Sequence, residues 1–221
     1  MKIINWNVGR PSKNKDKKIL EELNKRDADI LILTETNSSI KPQGKYHEVS
    51  TAHLERVTDG VPYKEGEIRT SIWTKYPIIK RYSTYNDNTS VCTDIKTESG
   101  VLTVYATIIG ILGGTKPPFK KDLEAQLHDF DNIFPGKQVC IVGDYNITFS
   151  GHPYPSLSAR QTLNDVFQKF NMKNLTSAIM DSVDHITISR EILGNKKVSI
   201  EIWNEDKKLS DHIGFCATIT E

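Results

Sequence analysis

The chain has 221 residues, 29 of them basic and 28 acidic, for a formal charge of +1, and 37% of it is apolar. That balance excludes a strongly basic nucleic-acid-coating protein and an acidic disordered chain, so any contact with nucleic acid must use a local patch. The length suits one domain over residues 1–221 with a core of its own.

In chain order, KIINWNV at 2–8 predicts a strand rich in β-branched residues. NKDKKILEELNKR at 14–26 predicts a helix with Ile19, Leu20 and Leu23 inward and its lysines outward. ADILILTE at 28–35 is a continuous apolar run, as in a strand covered on both faces. Short runs follow (YHEVST, RTSIWTK, IIKRYSTY, SVCTDIKT, VLTVYATII), separated by turn residues, and predict neighbouring antiparallel strands. A second helix is expected over 119–134, ended by Pro135-Gly136. QVCIVGD is another buried strand, and a helix over 158–171 follows it with Ser158 as N-cap. VDHITIS, KVSIEIW and IGFCATIT complete the set. Each half places a helix before an apolar strand that ends in acid, LILTE and VCIVGD, which suits two packed sheets with helices outside.

Cys92, Cys140 and Cys216 are odd in number, far apart and within apolar runs. They read as buried free thiols in a reducing compartment, neither a disulfide framework nor a metal spacing. No run reaches the ~18 apolar residues of a membrane span, and MKIINWNVGR lacks a signal peptide's apolar region. The expectation is a cytoplasmic monomer without membrane contact.

Polar residues stand where the apolar runs end: Asn7, Glu35, Asp144, Asn146, Asp184, Asp211 and His212. Carboxylates gathered on one sheet edge repel one another and need a cation between them. An all-oxygen donor set favours a hard ion, Mg²⁺ or Mn²⁺, over zinc. A histidine beside an aspartate can be kept protonated as a donor to a phosphoryl oxygen. Asp144 and Asn146, two residues apart, are expected on one side of their strand, one to take a proton from water and the other to orient it. His185 alternates away from Asp184 and reads as structural.

Asn7 in NWNV, Glu35 in LTE, GDYN at 143–146, the aspartate of VDHI and the SDH of LSDHIGF occur in the order and rough spacing of the endonuclease/exonuclease/phosphatase superfamily, which this chain resembles from residue 2 to 217. RTSIWTKYPI resembles that family's apolar strand and following turn. The resemblance implies a four-layered α/β/β/α sandwich of two mixed sheets flanked by helices, and a divalent-metal phosphoesterase. It implies Glu35 as main metal ligand with Asn7 and Asp211 close to the ion. It further implies Asp144 on the attacking water, Asn146 on water or phosphate, and His212 on the scissile phosphate, held by Asp184. The family's histidine or tyrosine near the leaving group corresponds to Thr107, a hydroxyl without a useful pKa near 7. His152 and Tyr105 are therefore alternative candidates there, and Arg69 is a candidate for phosphate. The stretch before Asp184 lacks the aromatic of the abasic-site enzymes, which argues against specific abasic-site recognition.

Three functions fit this set: a nuclease acting on DNA or, second, RNA; a phosphatase or phosphodiesterase for a small phosphorylated molecule; and a catalytically weak nucleic-acid-binding module. Lys116, Lys120, Lys121, Lys196, Lys197, Lys207 and Lys208 are candidates for a nucleic-acid path.

Overall fold

The computed structural model describes residues 1–111 and 117–221, so Lys116 lies outside the described residues. Fourteen strands and four helices are seen among them. In the first half β1 (Lys2–Asn7), α1 (Lys13–Arg26) and β2 (Ile30–Asn37) form a β-α-β unit. They are followed by β3 (His47–Ser50), a small hairpin of β4 (Val57–Thr58) and β5 (Val61–Pro62), then β6 (Glu67–Thr74) and β7 (Ile78–Tyr82). In the second half come β8 (Val91–Thr97), β9 (Gly100–Ile108), α2 (Pro117–Ile133), β10 (Val139–Asp144) and α3 (Leu157–Lys169). The chain continues through β11 (Met172–Asn174), β12 (Asp184–Ser189), α4 (Arg190–Leu193), β13 (Lys197–Trp203) and β14 (Gly214–Thr220).

One six-stranded sheet has the order β13-β14-β1-β2-β6-β3 and the other β11-β12-β10-β9-β8-β7. Each has one parallel pair, β1 with β2 and β9 with β10, among antiparallel neighbours. α1 joins the first pair and α2 the second, which is why both halves show a helix leading into a wholly apolar strand. The sheets pack face to face through Ile3, Ile32, Ile72 and Phe215 on one side and Val104, Val142 and Ile186 on the other. Ile19 and Leu23 of α1 cover the outer face of the first sheet against Trp6, Leu31 and Trp73. Phe130 of α2 and Leu163 and Phe167 of α3 cover the second against Tyr105, Ile141 and Tyr145. The result is the four-layered sandwich expected from the motifs. The side chains that fill it contribute about 1.5–3 kcal/mol each when fully buried.

One polar tie crosses the apolar layer. The buried Asn5 of β1 donates its Nδ2 to the carbonyls of Gly143 (3.0 Å) and His185 (3.2 Å) in the opposite sheet. It sits one turn of the pleat below the polar strand ends.

Two expectations differ in detail. Ser156, not Ser158, caps α3: it is extended and accepts from the Ala159 N–H at 3.2 Å. The first helical residue, Leu157, is 66% exposed and so carried no sign of the apolar face. β11, α4 and the β4–β5 hairpin are two to four residues long, too short for a periodicity. The three cysteines are free and buried.

Candidate active site

The polar residues gather at one end of the sandwich because the strand register puts them there. Asn7 is the last residue of β1 and pairs in register with Thr34, next to Glu35. Asp144 ends β10 and lies directly opposite Asp184, which opens β12. Asp211 and His212 immediately precede β14, which is antiparallel to β1. Two aspartates facing each other across antiparallel strands repel when both are ionised, and positive charge nearby relieves that.

That charge comes partly from His212. Its Nδ1 lies 2.6 Å from Asp184 Oδ2. Burial works against the imidazolium, but the bond to Asp184 and the fields of Asp184, Asp144 and Asp211 outweigh it and push His212 up to about 10. Asp184 is raised by burial, with the His212 bond pulling it back. With Nδ1 engaged, Nε2–H of His212 is left to donate outward. Asp144, 2% exposed, is pushed up to about 8, first by burial and then by Asp184. Ligand-capable atoms of Asp144, Asp184 and His212 all lie within 4.8 Å of one another.

Asn7 joins this group to Glu35. Its Nδ2 donates to Glu35 Oε1 (3.3 Å) and Asp144 Oδ2 (3.1 Å), and its Oδ1 takes the Gly9 N–H at 2.9 Å. Glu35 is raised by burial, with the Asn7 bond opposing. Its backbone has φ +48°, an uncommon conformation for a non-glycine residue. A Cβ on Gly9 would stand 2.8 Å from Asp211 Oδ1, which places that exposed carboxylate at the rim beside the Asn7 turn. Ser210 fastens the rim, donating to the Asn7 carbonyl (2.7 Å) and accepting from the His212 N–H (3.1 Å). The signal for Ser210 was the serine of the SDH motif.

Asn146 is near but not as the spacing predicted. β10 ends at Asp144, and Asn146 turns into the left-handed region at φ +50°. Its N–H returns to Asp144 Oδ1 (2.9 Å), and its Nδ2 donates to the Ile109 carbonyl (3.0 Å). The two side chains are related by a tight turn, not by strand alternation.

Among the substrate candidates, Arg69 shares a chamber with Glu35, whereas Thr107 and Tyr105 are bonded to α2. Thr107 is fully buried, with its hydroxyl 2.7 Å from Ser90 Oγ and 3.0 Å from Gln126 Oε1 of α2. Tyr105, two residues earlier, donates to Asp129 Oδ2 (2.8 Å) and packs edge-on to Phe130. Both face the helical layer. His152 is an exposed loop residue whose backbone is tied to Asp181 (2.9 Å) and Thr148 (2.6 Å). Arg69, 2% exposed, is engaged by Asp59 (2.7 Å), Thr89 (3.2 Å) and Tyr63 (3.2 Å). With Arg10, Tyr63, Glu35 and Ile108 it lines a chamber of about 100 Å³ beside Glu35. Lys207 and Lys208 lie in the loop before Asp211, but Lys197 pairs with Thr220 at the other end of β14, so the lysines do not form one path.

The donor set fits a hard cation. Glu35 and Asp144 are both held above the ordinary carboxylate range with one neutral amide between them. Asp184 Oδ1 is buried without a partner among the described residues. Oxygen donors short of positive charge suit Mg²⁺ or Mn²⁺.

A sequence model described as the Endonuclease/Exonuclease/phosphatase family matches residues 4–212. No curated protein sequence matches significantly. Solved structures with the same fold include the endonuclease domain of TRAS1, a telomere-specific non-LTR retrotransposon (TM-score 0.71, 16% identity, 99% of this chain and 97% of that one). Others are a 3'-5' exonuclease from Neisseria meningitidis (TM-score 0.70, 16% identity, all of both chains) and an AP endonuclease from Archaeoglobus fulgidus (TM-score 0.71, 14% identity, 99% of each chain).

Proposed function

This chain belongs to the Endonuclease/Exonuclease/phosphatase family, and from that premise we propose that it is a divalent-metal-dependent nuclease hydrolysing DNA phosphodiester bonds. The observation that carries the reading is the facing pair Asp144 and Asp184, closed by His212 and joined through Asn7 to Glu35. Glu35 with Asp211 would hold the ion, and Asn7, close to it, would orient Glu35 through its Nδ2. Mg²⁺ or Mn²⁺ bound there supplies charge for the phosphate oxygens and lowers the pKa of water.

The chain's own groups do the rest. Asp144 accepts the proton of the attacking water. Asn146, anchored through Nδ2 to Ile109, orients that water or the phosphate. His212 donates Nε2–H to a non-bridging phosphoryl oxygen, and Asp184 holds the ring and its charge. Tyr105 and Thr107 do not serve the leaving group from where they stand. DNA is favoured by two neighbours named as a 3'-5' exonuclease and an AP endonuclease, and by Lys207 and Lys208 in the loop that carries Asp211. The small chamber beside Glu35 and the near-zero net charge favour a second reading, a small phosphorylated molecule.

The test is cleavage of supercoiled plasmid and of a single-stranded oligonucleotide, with Mg²⁺, with Mn²⁺ and with chelator. Cutting that needs metal and is lost in Asp144→Ala is expected. No cutting under any metal would overturn the nuclease reading, and a panel of phosphorylated metabolites would then decide the second.

A further inference from the structure

His185 is fully buried beside the site and takes no part in the chemistry above. The rings of Phe149 and Tyr145 enclose it, with centroids 4.8 and 5.4 Å away. Its Nε2 lies 3.0 Å from two carbonyl oxygens, those of Ile147 and Ser182. Carbonyls only accept, so Nε2 must carry a hydrogen. Its Nδ1 lies 3.0 Å from the Thr176 hydroxyl. That oxygen accepts the Ile186 N–H at 3.2 Å, and its one proton lies between His185 Nδ1 and Asn174 Oδ1, the latter 3.1 Å away. The neutral ring with hydrogen on Nε2 therefore satisfies both carbonyls and leaves Nδ1 as an acceptor facing the Thr176 hydroxyl.

The two carbonyls belong to different segments of the site. Ile147 follows Asn146 in the loop leaving β10. Ser182 closes the turn before Asp184, and its hydroxyl bonds the Asp184 backbone, donating to the carbonyl (3.1 Å) and accepting from the N–H (3.3 Å). One N–H thus spans the segment that carries Asp144 and Asn146 and the segment that carries Asp184. A core histidine serving packing alone needs one partner on each nitrogen; this one is shared between the two halves of the acidic pair.

We propose that His185 is a positioning residue: it fixes the spacing of the Asn146 and Asp184 segments and so aims the Asp184 carboxylate at His212 Nδ1. The kinetic arm of the test rests on the phosphoesterase reading; the spectroscopic arm does not. His185→Phe keeps an aromatic ring in the Tyr145–Phe149 pocket and removes both hydrogen bonds, whereas His185→Gln keeps a donor near the Nε2 position. With bis(4-nitrophenyl) phosphate and Mn²⁺, kcat of the Phe variant should fall by about 10- to 100-fold with KM nearly unchanged, the scale of an ångström of misplacement. The Gln variant should recover most of it. In the metal-free protein, the NMR signal of the His212 Nδ1 proton should move upfield in the Phe variant and return in the Gln variant. A folded Phe variant with unchanged kcat and an unmoved signal would overturn the proposal. So would losses in step with the unfolded fraction, measured by circular dichroism, that Gln does not repair. If His185→Phe does not fold, Thr176→Val, which removes the donor to Nδ1, is measured in its place. Inactivity of the unmodified chain on this ester, the plasmid and the metabolite panel would overturn the phosphoesterase reading, and the His212 signal alone would then decide the positioning role.

Discussion

The bond between His212 Nδ1 and Asp184 Oδ2 sets the protonation of the outermost donor in the cluster. A buried carboxylate 2.6 Å away outweighs the cost of burying an imidazolium. Asp184→Asn keeps the shape and removes the charge. In the metal-free protein the His212 Cε1–H resonance should titrate near pH 10 in the parent chain and well below that in the variant. Turnover should fall by about 100-fold or more, in the range of a lost acid-base partner. An Asn variant with an unmoved His212 titration would remove the electrostatic account of the pair. Glu35 and Asn146 show another residue-scale feature, positive φ in two non-glycine side chains at one site. Such conformations persist where the surroundings over-determine them, and here both residues are fixed by hydrogen bonds to neighbouring segments.

At the scale of elements, Gly143 decides whether Asp144 can be where it is. β9 and β10 run parallel and approach so closely there that a Cβ on Gly143 would stand 1.9 Å from the Thr107 carbonyl oxygen, and its φ is +146°. Gly143→Ala should cost on the order of 3 kcal/mol, read as a lower urea midpoint. It should also depress turnover in the fraction that remains folded, because Asp144 moves with the strand. The sequence announced most of this level. Each apolar run ending in Asn, Glu or Asp was a strand leaving the core, and the pleat then put Asn7, Glu35, Asp144 and Asp184 on one edge. What it did not announce depends on register and on turns. Thr107 faces α2 because of its phase along β9, which a run buried on both faces does not display. Asn146 leaves the strand by a backbone turn that a two-residue spacing cannot reveal. The partners of His185 are 38 and 3 residues away in sequence, and no local pattern points to them.

For the whole molecule, the site makes stability depend on pH and on metal together. Asp144 binds its proton more tightly folded, up to about 8 against an ordinary 3.8, and His212 does likewise, about 10 against 6.5. In both cases the folded chain holds more protons than the unfolded one, so their contribution is present at low pH and is lost as pH rises through those values. His185, lowered to about 4, has the opposite sign: its contribution is present above 6.5 and is lost as pH falls towards 4. Above pH 6.5 it is neutral in both states and silent. The metal-free protein should therefore lose thermal stability from pH 6.5 to 9. Millimolar Mg²⁺ should stabilise it and flatten that slope, because an ion that binds only the folded chain replaces the protons. A melting temperature that does not respond to Mg²⁺ at pH 8 would count against the cation site.

β1 lies between β2 and β14, so Asn7 and His212 meet only when chain more than two hundred residues apart comes together. On the ribosome, β1 and β2 can pair early, but the outer edge of β1 stays open until β14 has emerged. Until then the nascent chain has neither His212 nor the Ser210 clasp on the Asn7 carbonyl. The candidate site is thus closed by the pairing of β14 with β1, which joins the most distant parts of the described sequence.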